Sequence, residues 1–253
     1  MKTVWDYTEL ADSYLKRPEY APVALEKLFK FTDLYNNTNN KNACDVGAGV
    51  AHLTIELAKL GINVYAVEPN DAMRKNGIER TKEMNNVLWF EGVGENTNMK
   101  SDFFDIVTFG SSFNVCDREL ALKETYRILN KNGYFACMWN HRNLEDSIQK
   151  EIENIIKKNI KNYDYGTRRE DQTEIINKSN LFEKVEIITG DVIHNVNAKD
   201  FAEGFKSHAT IHRQSKEIFN KITEEINEFI MSLNKDTIAV PYTTKIWVAK
   251  VKK

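Results

Sequence analysis

The stretch Asp45-Val46-Gly47-Ala48-Gly49-Val50-Ala51-His52 constrains this chain more than any other. A short apolar run, residues 43–46, stops at two glycines, and a helical pattern begins at residue 50. Glycines at such a junction permit tight dihedrals and let a ligand approach the backbone. A second apolar run, residues 62–67, ends in Val67-Glu68-Pro69-Asn70, which places Glu68 21 positions after Gly47. An acid at the tip of that strand can accept bonds from ribose hydroxyls.

The alternation continues. Residues 50–60 read as a helix closed by Gly61, and Asp71 as the N-cap of a helix to about residue 84. Residues 87–90 and 103–109 read as strands, and Asp117 as the cap of a helix to about residue 129. Asn132-Gly133 turns into a fifth strand over 134–139. Strands alternating with helices predict a parallel sheet covered on both faces. The first 35 residues read as two helices, the second with Val23, Leu25, Leu28, Phe29 and Phe31 on its apolar face. Beyond residue 141, isoleucines at helical spacing mark helices near 148–160 and 218–233. Two strand pieces, 185–188 and 192–196, flank Gly190, and a last strand spans 243–251. No Pro-rich or Ser-rich linker separates these parts. One domain over 1–253 is expected, with residues 1–35 and about 141–235 capping the sheet.

Two cofactor classes share a glycine turn with a following acid. The dinucleotide fingerprint places a third glycine where His52 stands. It also sets an anionic pyrophosphate at the helix start, next to Asp45. A carboxylate there suits a cationic amino group better. A nucleoside bearing an amino acid satisfies both observations, which points to S-adenosylmethionine over a nicotinamide dinucleotide.

At these residues the chain resembles the class I S-adenosylmethionine-dependent methyltransferases, in the small-molecule branch that includes trans-aconitate methyltransferase-like enzymes. The resemblance implies a Rossmann-like α/β fold, with a mostly parallel seven-stranded sheet, an antiparallel last strand and a helical cap. Ala51 stands where the family's third motif glycine falls. The family pattern implies a cofactor site of Asp45, Gly47, Ala48 and Gly49 at the turn and Glu68 and Pro69 on the ribose. Met73 would lie beside the adenine, with Gly94 and Glu95 lining its pocket and Gly110 and Ser111 at the end of the fourth strand. Tyr14, Arg17 and Tyr20 match the family's N-terminal tyrosine and arginine-proline pattern over the cofactor. Asn114-Val115 stands where the family often has His-Trp, so a histidine base is not supplied at that point.

Methyl transfer from a sulfonium needs alignment and desolvation first, and a base only when the acceptor must lose a proton. The residues that could act on the acceptor are Asn114, which could orient it, and His141 and His208, which could take a proton. Trp139, Arg142, Tyr165 and Phe205 are candidate acceptor contacts. Each has a plainer reading: Asn114 as a loop residue bonding its own backbone, His141 and Arg142 as exposed loop groups, Trp139 and Phe205 as core. The tyrosines Tyr163 and Tyr165 could form a lid or cover apolar surface.

Composition limits the partners. The 35 basic and 37 acidic residues leave a formal net charge of −2, which does not favour a nucleic-acid backbone. No run of about 18 apolar residues is present and the N-terminus lacks an apolar secretory core, so no membrane association is expected and a cytoplasmic location is. The three cysteines, Cys44, Cys116 and Cys137, are sparse and fit a reducing compartment. No metal-ligand spacing appears. The expected partner is a small-molecule methyl acceptor that offers an oxygen, a nitrogen or a carboxylate, with no nucleic acid and no membrane. A methyltransferase acting on RNA or protein and a non-catalytic S-adenosylmethionine-binding protein remain open alternatives.

Overall fold

The computed structural model describes residues 8–36 and 38–253; the first seven residues of the expected N-terminal cap lie outside them. Seven strands form one sheet: β1 (Asn42–Val46), β2 (Asn63–Val67), β3 (Val87–Phe90), β4 (Phe104–Gly110), β5 (Leu129–Arg142), β6 (Glu186–Asn197) and β7 (Thr237–Lys250). Their spatial order is β3-β2-β1-β4-β5-β7-β6. β1 to β5 are parallel, and β7 runs antiparallel between β5 and β6. The order reverses between β1 and β4, the point where open α/β sheets bind ligands at their carboxyl ends.

The helices are α1 (Ala11–Tyr14), α2 (Pro22–Phe31), α3 (His52–Ala58), α4 (Asp71–Thr81), α5 (Arg118–Ile128), α6 (Ser147–Asn159), α7 (Thr173–Lys178), α8 (Ala198–Gly204), α9 (Ala209–Ser215) and α10 (Phe219–Ser232). Strand alternation divides the core into two layers. Val107, Phe109, Phe135 and Cys137 pack with α5 and α7. Ile106, Ala136 and Met138 face α2 and α3 on the opposite side. A third cluster builds the cap, where Ile152 and Ile156 of α6 meet Ile222, Ile226 and Ile230 of α10 and Ile238 and Val240 of β7. Among the described residues no helix is long and apolar enough to cross a membrane.

Several boundaries differ from the sequence reading. Asn70, not Asp71, caps α4, since its side chain accepts from the Met73 amide. The helix after the glycine turn starts at His52, because Ala51 holds φ +74°, a left-handed conformation that costs an L-residue about 1–2 kcal/mol. On α2, Ala24, Leu25, Leu28 and Phe29 are buried, whereas Val23 and Phe31 face solvent. The pieces around Gly190 are one continuous strand, and β5 and β7 extend well past their expected limits because they pair from Tyr134↔Lys250 to Arg142↔Tyr242.

Candidate active site

The glycine turn is held from below by β2. The Gly47 and Ala48 amides both donate to the Val67 carbonyl, at 2.8 and 3.1 Å. Gly47 and Gly49 have φ of +68° and +58°. Glu68 closes the turn from the side: one carboxylate oxygen accepts from the Gly49 amide at 2.9 Å and the other from the Asn70 amide at 2.8 Å. Burial raises its pKa, while these two amides pull it down. Glu68 is therefore fixed in orientation at the tip of β2, as the sequence spacing requires.

Asp45 lies beneath the turn, 1% exposed. Its oxygens accept from the Thr54 hydroxyl at 2.7 Å and the Thr108 hydroxyl at 3.0 Å. Burial is the main influence and raises its pKa from 3.8 to about 6, against the pull of these hydroxyls. The sign follows: a carboxyl with a raised folded pKa weakens the fold when ionised, so the cost is absent below about pH 4 and complete above about pH 6. By linkage this amounts to about 3 kcal/mol at neutral pH. Asp45→Asn is expected to raise the urea midpoint at pH 7 and leave it nearly unchanged at pH 4. An equal change at both values would sink the assignment.

The carboxyl end of β4 forms the opposite wall. A Cβ at Gly110 would stand 2.9 Å from the Tyr20 hydroxyl, and that hydroxyl lies 3.1 Å from the Ser111 Oγ. Gly94 faces Cys116 so closely that a Cβ would lie 2.4 Å from its sulfur. Glu95 accepts from the Asp117 amide at 2.6 Å and so steadies the loop entering α5. Met73 packs its methyl over Gly49. All fourteen residues assigned to the cofactor side (Tyr14, Arg17, Tyr20, Asp45, Gly47, Ala48, Gly49, Glu68, Pro69, Met73, Gly94, Glu95, Gly110 and Ser111) line one cavity. Arg17 is engaged there with the cap, donating to the Ser207 hydroxyl and carbonyl and lying over the Tyr14 ring.

The same cavity continues under the cap, past Asn114, Trp139, His141, Arg142, Phe205 and His208. Asn114 is not a self-bonded loop residue: its carbonyl oxygen accepts from the Trp139 indole at 3.0 Å. Trp139 is buried and packs edge-on against Trp247, so it serves as core and wall together. His141 and Arg142 belong to β5 rather than an exposed loop. Burial, then Arg169, Lys245 and Arg168, push His141 down to about 4, and its Nε2 has no partner among the described residues. Arg142 pairs with Glu153 at 2.8 Å, both side chains less than a tenth exposed.

Two assignments change. His208 sits at the start of α9, where Nδ1 faces the Ile211 amide and Nε2 faces the Arg168 guanidinium, each at 3.4 Å. A neutral imidazole can accept at only one nitrogen. Burial and the neighbouring arginines hold its pKa well below the usual range, which is unfavourable for accepting a proton. Tyr165 lies behind the wall: its hydroxyl donates to Glu153 and Arg169 covers its ring, and it does not line the cavity. The sequence reading missed Arg168, Arg169 and Tyr242, which do. No motif singles out Arg168-Arg169; the 3-10 turn Thr167–Arg169 that carries them packs against the 3-10 turn Phe113–Val115 at the end of β4.

A seven-stranded sheet in this order, with an antiparallel β7 and an acid-flanked glycine turn at the switch point, defines the class I methyltransferase architecture. Residues 44–137 match the family model described as a methyltransferase domain. The chain is 36% identical over 110 residues to a demethylmenaquinone methyltransferase of Staphylococcus haemolyticus, covering 42% of this chain and 46% of that protein. It is 30% identical over 119 residues to the ubiquinone/menaquinone biosynthesis C-methyltransferase UbiE of Zymomonas mobilis, covering 45% and 49%. The chain thus spans about half the length of these curated relatives. Its fold is similar to that of the YcgJ protein from Bacillus subtilis, with a TM-score of 0.57 and 16% identity over 90% of this chain and 99% of that one. It is also similar to phosphoethanolamine N-methyltransferase 2 from Haemonchus contortus, solved with S-adenosyl-L-methionine, with a TM-score of 0.53 and 16% identity over 91% and 52%.

Proposed function

We propose that the protein transfers a methyl group from S-adenosylmethionine to a small-molecule acceptor by in-line displacement, with residues 8–35 and 141–235 closing over the reaction. The observation that carries this reading is one cavity with two chemically distinct ends. One end is the cradle of Gly47, Gly49 and Gly110, where an added Cβ would press on Ser112, Met73 and Tyr20, flanked by the carboxylates of Asp45 and Glu68. Those two acids suit a ligand that presents a cationic amino group and ribose hydroxyls. The other end is the capped lobe, whose walls include Phe201, Phe205 and Val240.

Bound S-adenosylmethionine supplies an already activated methyl group. The residues of this chain then have three tasks: Glu68 and Asp45 orient the nucleoside and amino-acid parts, Tyr20 and Ser111 shape the passage between the lobes, and the cap excludes water. With His141 and His208 held neutral by burial and, after it, by neighbouring cations, an acceptor that needs no strong base fits the site. The apolar walls suit a compact, ring-bearing or hydrocarbon-bearing acceptor, consistent with the quinone methyltransferases among the relatives. The trans-aconitate-like branch rests on motif resemblance alone.

Calorimetric titration with S-adenosylmethionine, S-adenosylhomocysteine and NAD tests the reading. The adenosyl compounds should bind and NAD should not. Glu68→Ala should weaken S-adenosylhomocysteine binding by about 1.5–3 kcal/mol through loss of charge-assisted bonds. Unchanged affinity in a folded variant would remove Glu68 from the site.

A further inference from the structure

We propose that the capped lobe is an oxyanion-binding subsite, in which Arg168 and Arg169 receive a carboxylate or phosphate group of the methyl acceptor. This rests on the methyltransferase reading of the cavity and adds the chemical class of the acceptor.

The argument begins with uncompensated charge. Arg17, Arg142, Arg168 and Arg169 all reach this cavity. Arg142 has Glu153, and Arg17 is satisfied by Ser207. Among the described residues neither Arg168 nor Arg169 makes an ion pair: Arg168 has a long contact to His208, and Arg169 lies over the Tyr165 ring, with Glu153 acting on it only from beyond ion-pair distance because that carboxylate is bonded to Arg142, Tyr165 and Lys157. The cavity acids cannot supply the missing charge. Asp45, Glu68 and Glu95 sit at the cofactor end, bonded to their own surroundings, and Asp200 pairs with Lys16.

Charge of this kind is costly without a counter-ion. Burial and the neighbouring arginines lower Arg168 to about 10. The same field depresses His141 and His208. Nearby donor capacity is also unused, since one guanidinium nitrogen of Arg142 is buried with no partner among the described residues. Guanidinium forks match planar carboxylates and phosphate oxygens, in one or two parallel bonds. Phe201, Phe205 and Val240 supply an apolar surface beside the cations. The ligand is therefore a small molecule with an apolar body and an anionic head. The lobe lies beneath α8 and α9, which favours a free metabolite over a polymer backbone.

The test uses the full chain saturated with S-adenosylhomocysteine, after binding of that compound has been measured by itself. Benzoate, phenyl phosphate and the neutral benzamide are then titrated by calorimetry. At least one anion should bind saturably and at least tenfold more tightly than benzamide, with the stronger anion separating a carboxylate from a phosphate preference. Arg168→Gln and Arg169→Gln should each weaken that anion at least tenfold and leave S-adenosylhomocysteine affinity unchanged. Equal binding of benzamide, no binding of either anion to the wild type, or anion binding unaffected by both substitutions would overturn the subsite. If a variant fails to fold, the wild-type contrast between anion and amide still decides. Failure to bind S-adenosylhomocysteine at the first step would instead overturn the methyltransferase reading.

Discussion

A Gly47→Ala variant should lose affinity for S-adenosylhomocysteine by about a hundredfold, or about 2.7 kcal/mol, and unfold at clearly lower urea. The added Cβ would stand 2.4 Å from the Ser112 Cβ and 2.9 Å from its Oγ. Ser112 cannot yield easily: it is buried, and its hydroxyl donates to the Val46 carbonyl at 2.5 Å. The residue before it, Ser111, is already at φ +61° and carries the contact to Tyr20. Displacing Ser112 therefore moves both walls of the cofactor cradle. The left-handed φ of Gly47 adds about 1–2 kcal/mol of backbone strain for alanine, and the overlap about 1–3 kcal/mol more. Gly49→Ala is the natural comparison, since its Cβ would meet the flexible Met73 methyl at 3.2 Å. That variant shares the backbone strain and lacks the rigid clash, so its losses should be smaller. Urea titration and calorimetry measure both effects. Wild-type affinity in a folded Gly47→Ala protein would show that this turn does not cradle the cofactor.

The cofactor end was legible in the sequence because its chemistry is local. A strand, a turn and a helix start lie within eight residues, and Glu68 reaches back to Gly49 across one βαβ unit. The cap of α5 was legible for the same reason, since Asp117 accepts from the Glu119 and Leu120 amides. What failed depends on distant partners. Gly190 reads as a break, yet it lies inside β6 where α2 crosses: a Cβ there would be 2.6 Å from Val23 and 2.7 Å from the Ala24 nitrogen. Tyr165, expected at the acceptor, is drawn behind the wall by the buried Glu153, and Arg168 and Arg169 line the cavity there instead. No spacing along the chain encodes that placement.

Glu153 is accordingly the residue whose loss should most disturb the cap. It accepts from Arg142 at 2.8 Å, receives the Tyr165 hydroxyl and lies 3.3 Å from Lys157. These bonds join β5, α6 and the loop that carries Arg168 and Arg169. Glu153→Ala leaves the Arg142 charge buried without its acid, at a cost of about 3–5 kcal/mol. Tyr165, whose ring supports the Arg169 guanidinium at 4.0 Å, loses its anchor. Stability should fall, and with it the acceptor side of the site, whereas the glycine turn and Glu68 make no contact with this hub. The expected signature is a lower urea midpoint and weakened anion binding, with S-adenosylhomocysteine affinity within about twofold of wild type, a difference of about 0.4 kcal/mol. The double variant Arg142→Met/Glu153→Leu separates charge from architecture. Replacing both partners of a buried pair with apolar side chains is often neutral or stabilising, so it should recover most of the stability while anion binding stays weak. Recovery of both would mean that the pair only fills space and does not position the arginines.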